Sequence, residues 1–321
     1  MMEFVDLETY CMGTNIIQRI YGDKGSEVVK LVETELKRLE GMLSFHSSFS
    51  EVSLINERAG FEYVPVSNET LYIINKAKKY SELSSGAFDI TAAPLIGLWG
   101  VFSEKQRVPL YEEIKEAQEL IGHRDIIIDD RTSSIKLAKY GQKIDLGGIA
   151  KGFAADRAVE IYKNNGINSA FINIGGNVLV LGNKPDGTSW NIGIQNPLET
   201  RGECIGAVAV SDKTVVTSGD YVRYFEKNNV RYHHILDPRT GYPSSSEVMS
   251  VTVIGESSID ADAVSTAAFI LGLEEGMKFI ESMESVHAVF ITKNKKVYAT
   301  EGIRDSFIFT GHEKGFNYIN Q

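Results

Sequence analysis

The chain has 321 residues, 43% of them hydrophobic, enough for a large core in one domain or two lobes. With 33 Lys and Arg against 43 Asp and Glu the net charge is −10. That balance argues against nucleic acid as a main partner, and any anionic ligand needs local help from a cation or a helix end. Two cysteines, Cys11 and Cys204, are too few for a disulfide framework or a Cys-based zinc site, and no run of 18 apolar residues is present to span a bilayer.

The opening MMEFVDLETYC has neither a basic n-region nor an apolar h-region. The expectation is a cytoplasmic chain, or a membrane-anchored extracytoplasmic one whose signal has been removed. Residues 3 to 21 read as strand, with MGTNIIQRIYG crossing from turn to strand. Val28, Val32, Leu36, Leu39 and Leu43 form one helical stripe. The Ser-rich SFHSSFSEVSLINERAG predicts a loop with a helical turn near Val52, and Leu71, Ile74 and Ala77 predict a helix capped by Ser67. SSGAFDITAAPLIGLWGVF has neither helical nor strand period. Leu110, Ile114, Ala117 and Ile121 mark a third helix ended by Gly122, and DIIIDD with SIKLA predicts a hairpin.

KIDLGGIAKGFAAD, residues 143 to 156, is the centre of the chain. It reads as a strand end at Asp145, a Gly147-Gly148 turn, and a helix running to an Asn165-Gly166 cap. Free N–H groups at such a helix start suit an anion, and Lys151 adds a positive charge one turn in. Neither GxxxxGK[ST] nor GxGxxG is present, so the nucleotide loops are excluded; a plain Gly-rich connection stays open. Beyond it AFINI, NVLVLG, WNIGIQ, GAVAVS, TVVTSG, RYHHIL and VMSVTVIG are short β runs. VHAVFIT, KVYAT and SFIFTG close the same sheet. The pattern predicts an α+β fold, a largely antiparallel sheet with flanking helices, interrupted by one long helix at 261–272.

Asp262 and Thr266, four apart on that helix and off its Val264/Leu271 stripe, suit a hard cation such as Mg²⁺. Spacing alone favours the structural alternative, a first-turn charge and a hydroxyl bonded back to its own helix. YHHILDPRTGYP is the densest polar cluster. His233 and His234 alternate faces of one strand, so only one can serve a given cleft as a base. TSGDYVRYF puts Ser218, Gly219 and Asp220 at a strand end. No HExxH or GxSxG motif supports a zinc peptidase or serine hydrolase.

Taken in order, MGT, SEVSLIN, GAFDITAAPLIGLWG, KIDLGGIAKGFAAD, INIGGN, TSGDYVRYF, HHILDPRTGYP and DADAVSTAAF resemble the FAD:protein FMN transferase family, also called the ApbE or thiamine-biosynthesis-lipoprotein family. The resemblance runs from Met12 to about Thr292. It implies a single-domain α+β, T-fold-like architecture over residues 1–321 with a deep FAD cleft. It also implies Mg²⁺-dependent cleavage of FAD, transfer of FMN through a phosphoester to a Thr or Ser of a partner protein, and release of AMP. Position by position, it implies flavin or FAD contacts for Met12, Ala87, Phe88, Asp89, Asp145, Lys151 and Ile235. It implies metal ligation by the Gly148 carbonyl, Asp262 and Thr266. His234, with Asp237 beside it in the motif, takes the catalytic role. The family usually carries Tyr before the SE motif; here His46 stands there, and its ring offers the stacking surface instead. An FAD pyrophosphatase with water as acceptor uses the same residues. A flavin-binding or storage protein without turnover is the alternative from another class.

Overall fold

The computed structural model describes residues 3–319. Seven α-helices lie among them: α1 Gly25–Leu43, α2 Glu51–Glu57, α3 Asn68–Leu83, α4 Ala93–Trp99, α5 Tyr111–Glu119, α6 Ala150–Asn164 and α7 Ser258–Glu281. The predicted stripe of α1 is buried at every position, and Ser67 caps α3 by accepting the Thr70 N–H. None of these helices is long and apolar enough to cross a membrane.

A nine-stranded sheet runs in the order Phe4–Cys11, Thr14–Tyr21, Ala170–Ile174, Asn177–Leu181, Thr214–Gly219, Val248–Gly255, His287–Thr292, Lys296–Ala299, Asn317–Tyr318. Every pair is antiparallel except the last, which is parallel. Both faces of its middle are covered. Val216, Val253, Ala288 and Phe290 join the large core under the helices, while their neighbours Val215, Ile254, Val289 and Ile291 join a second core. The strand VMSVTVIG is accordingly buried at every position, its polar Ser250 and Thr252 included.

The second core is roofed by a three-stranded sheet of Trp190–Gln195, Cys204–Val210 and Phe307–Phe309. The late β runs therefore do not all close one sheet. WNIGIQ, GAVAVS and SFIFTG leave the main sheet and form this second layer.

Three local expectations need correction. KIDL is not a strand. Its backbone is held instead by the Asn56 side chain, which donates to Ile144 O (3.0 Å) and accepts the Ile144 N–H (2.7 Å), and by Ile90 O, which accepts the Asp145 N–H (2.8 Å). The aperiodic DITAAPLIGLW folds as a 3₁₀ turn, Ile90–Ala92, continuing into α4 with Pro94 in its first turn. Such a short helix shows too few turns for a stripe to emerge. Finally, α7 is longer than 261–272 and buried nearly all round to Gly272, where φ 84° and ψ −170° break it. Asp262 is thus not on an exposed face; it is 4% exposed.

Candidate functional site

The first turn of α6 is wedged between the GAFD segment and α7. A Cβ placed on Gly148 would lie 3.1 Å from the Phe88 ring, close enough that the ring would have to give, and 3.8 Å from Thr266 Oγ1. Gly152 is tighter still, with a virtual Cβ 2.2 Å from Ser258 O, and this closeness lets its N–H donate to Asp262 Oδ2 at 2.9 Å. Lys151 Nζ donates to Gly147 O at 2.8 Å and stands 3.9 Å from Asp262 Oδ1. Asp156, one helical turn on, accepts the N–H groups of Ser258 and Ile259 (both 2.9 Å) and so fixes the start of α7. Burial pushes its carboxyl up to about 6.

Gly148, Lys151, Asp262 and Thr266 therefore meet at one place. Thr266 Oγ1 also donates back to Asp262 O at 3.4 Å, the bond expected of a merely structural threonine. Ser218 adds a second hydroxyl, 3.3 Å from Thr266 Oγ1 and 2.9 Å from Ser265 Oγ. Ser218 carried no role in the sequence reading; its position at the end of the TSGD strand was the available signal. Among the described residues no three His, Cys, Asp or Glu side chains gather as metal ligands. One carboxylate stands here with hydroxyl oxygens and the Gly148 backbone, a donor set that would suit a hard cation such as Mg²⁺.

His233 and His234 part company as their alternation requires. His233 is 5% exposed, and both ring nitrogens serve the backbone: Nε2 donates to Ser244 O at 2.9 Å and Nδ1 accepts the Ile235 N–H at 3.3 Å. His234 is half-buried. Its Nδ1 lies 3.1 Å from Arg223 O, and a carbonyl only accepts, so Nδ1 carries the proton and Nε2 the lone pair. Desolvation, with a smaller contribution from nearby positive charge that includes Lys151, lowers its pKa to about 4. The Phe102 ring meets it edge-on at 5.6 Å.

Arg223, unassigned from sequence, links two ends of the site. Its Nη2 donates to Gly13 O at 3.3 Å, tying the Met12-Gly13 hairpin turn to the His234 strand. Met12 takes φ 55° in that turn, and its N–H donates to Glu40 Oε1 at 2.8 Å. Asp145 is half-buried and accepts the Gly147 N–H at 2.7 Å.

Other residues are less free than their types suggest. Ala87 is fully buried, and Phe88 and Ile235 nearly so. Both oxygens of Asp89 are taken, Oδ1 by the N–H and hydroxyl of Thr91 and Oδ2 by the N–H and ring of His123. Asp237 is gripped by Arg239 at 2.8–2.9 Å and organises the DPRTG turn rather than bonding to His234. His46 is exposed, and its ring packs against Phe45 alone among the described aromatic neighbours.

A family model described as the ApbE family matches residues 12–290. The chain is 36% identical over 309 residues to the FAD:protein FMN transferase of Klebsiella pneumoniae (strain 342), an alignment covering 96% of this chain and 95% of that protein. It superposes on the crystal structure of the ApbE protein from Thermotoga maritima with a TM-score of 0.88 at 35% identity, covering 95% of this chain and 99% of that one. The flavin transferase ApbE from Vibrio cholerae gives 0.85 at 29% identity, covering 95% and 100%. Matched in sequence across most of its length and in architecture across nearly all of it, the chain belongs to the ApbE family.

Proposed function

We propose that this chain is an FAD:protein FMN transferase, which moves FMN from FAD to a hydroxyl of an acceptor protein. The observation that carries the reading is the His234 ring: its Nδ1 lies 3.1 Å from Arg223 O, which leaves the lone pair on Nε2. Met12, His46, Ala87, Phe88, Asp89, Asp145, Lys151 and Ile235 are assigned to FAD. Asp89 acts by shaping its turn, since its oxygens are occupied. Lys151 and the α6 N-terminus supply the positive end that the phosphates need on an acidic protein.

In the reaction so assigned, the acceptor threonine or serine Oγ bonds to the flavin-side phosphorus. The bond from that phosphorus to the bridging oxygen breaks, AMP leaves with the electron pair, and the hydroxyl proton passes to His234 Nε2. Asp237 supports this through its turn. Asp262, Thr266 and the Gly148 carbonyl would hold Mg²⁺. When bound, the ion neutralises charge developing on the phosphates.

Incubation with FAD, Mg²⁺ and an acceptor flavoprotein domain, read by intact mass and by AMP release, tests the assignment. An FMN adduct on a Thr or Ser of the acceptor is expected. AMP without an adduct would assign hydrolysis instead, and neither product would remove the enzyme reading.

A further inference from the structure

Strand Tyr224–Lys227 pairs only with Val230–His233, in a two-stranded sheet of its own. Tyr224 faces His233 and Lys227 faces Val230. One step further along the ladder, the His234 N–H donates to Arg223 O at 3.0 Å, so Arg223 and His234 are a hydrogen-bonded pair. Bonded and non-bonded pairs alternate in an antiparallel ladder. Tyr224 and Glu226 therefore turn their N–H and C=O groups outward, and no backbone group of another described element takes them.

Beside this edge runs an open groove of about 550 Å³, lined by Gln106, Arg107 and the four residues of the strand. The residue preceding its Tyr224 end is Arg223, whose carbonyl holds His234 and whose guanidinium lies 5.1 Å from the centre of the Phe102 ring, itself 46% exposed. The groove's charged groups are one carboxylate, the Lys227 ammonium, and Arg107, which Glu113 already holds by two 2.7 Å bonds. That carboxylate, Glu226, is turned to Arg231 at 3.5 Å.

We propose that the outer edge of Tyr224–Lys227 docks an extended, acidic segment of the acceptor protein as a third strand. The segment's threonine or serine lies at the Arg223 end, beside His234. The inference rests on the transferase reading. Main-chain bonds supply affinity in such strand addition, and the Lys227 cation sets direction and preference.

The probe is a polypeptide that the wild-type chain labels with FMN in a cell extract given FAD and Mg²⁺, identified by mass spectrometry and then purified. Two variants are compared with wild type. Glu226→Pro removes one outward N–H and leaves the hairpin bonds of Phe225 and Lys227, as an edge proline can. Lys227→Glu reverses a groove charge. Both should raise KM for the acceptor roughly tenfold, the worth of a lost interfacial hydrogen bond or charge contact, with FAD affinity and the rate at saturating acceptor unchanged. If Glu226→Pro loses FAD binding, Lys227→Glu decides. Unchanged KM in the variants overturns the docking site while the transferase reading stands. A wild-type dimer that Glu226→Pro separates also overturns it, because a second copy then occupies the edge. An extract in which nothing is labelled overturns the transferase reading and the docking site with it.

Discussion

The ring nitrogens of His233 are both spent on backbone groups, whereas His234 spends one and keeps a lone pair. His234→Ala should therefore cost roughly 10²–10⁴ in transfer rate, the usual worth of a positioned base, with FAD binding retained. His233→Ala should instead destabilise the fold by about 1–3 kcal/mol and change the rate little; rates and denaturation curves on both variants check this. Because the His234 pKa lies at about 4 rather than the ordinary 6.5, its active neutral form persists on acidification. Transfer should stay level from neutral pH down to about pH 5 and fall below that as Nε2 takes a proton. A fall centred near 6.5 would assign the titration to another group. Asp262 calls for a substitution finer than alanine. It accepts the buried Gly152 N–H, so Asp262→Ala removes a metal oxygen and a structural acceptor at once. Asp262→Asn keeps an acceptor for Gly152 and loses the charge. It should retain the melting temperature to within a few degrees, roughly what 1 kcal/mol is worth at this size, and lose Mg²⁺-dependent turnover. Melting curves and AMP release give the two readouts separately.

Helices α6 and α7 are held together by what Gly152 lacks. Gly152→Ala drives a methyl against the Ser258 carbonyl. It should cost about 1–3 kcal/mol, the usual scale of overpacking, seen as an earlier urea midpoint, and should lower turnover by shifting Asp262 away from Lys151. At this scale the sequence was legible wherever one face of an element is wet. The α1 stripe, the Ser67 cap and the Asn165-Gly166 stop, where Gly166 takes φ 77°, all stand as read. Legibility failed where burial is two-sided or a side chain replaces a partner strand. Asp262 looked peripheral because α7 was read as having one buried face, and it is buried on nearly every side. KIDL looked like a strand because its ladder partner, the Asn56 amide, comes from a residue far away in the chain. No periodicity carries that information.

The motifs assigned to the site run from Met12 to Thr266, and their order gave no distances between them. Arg223 and Ser218 escaped notice as site residues because each acts through a contact with a distant partner, Gly13 O and Thr266 Oγ1. If the assigned FAD residues act together, both halves of the dinucleotide are gripped, and FAD should raise the melting temperature more than FMN at equal concentration. Equal shifts in a thermal scan would count against a site that holds the AMP half. The sheet order has a further consequence, for the chain as it is made. The hairpin Phe4–Tyr21 is made well before the strand that its inner edge pairs with, Ala170–Ile174, where Ile16 stands opposite Ile174. At about 5–20 residues per second the partner arrives on the order of 10–30 s later. Through that interval Thr14–Tyr21 carries an open edge with Ile16 and Ile20, both wholly buried in the finished protein, still uncovered. The nascent chain is thus open to wrong pairing at this edge until the residues after α6 are made, and a chaperone that shields the hairpin acts in that interval.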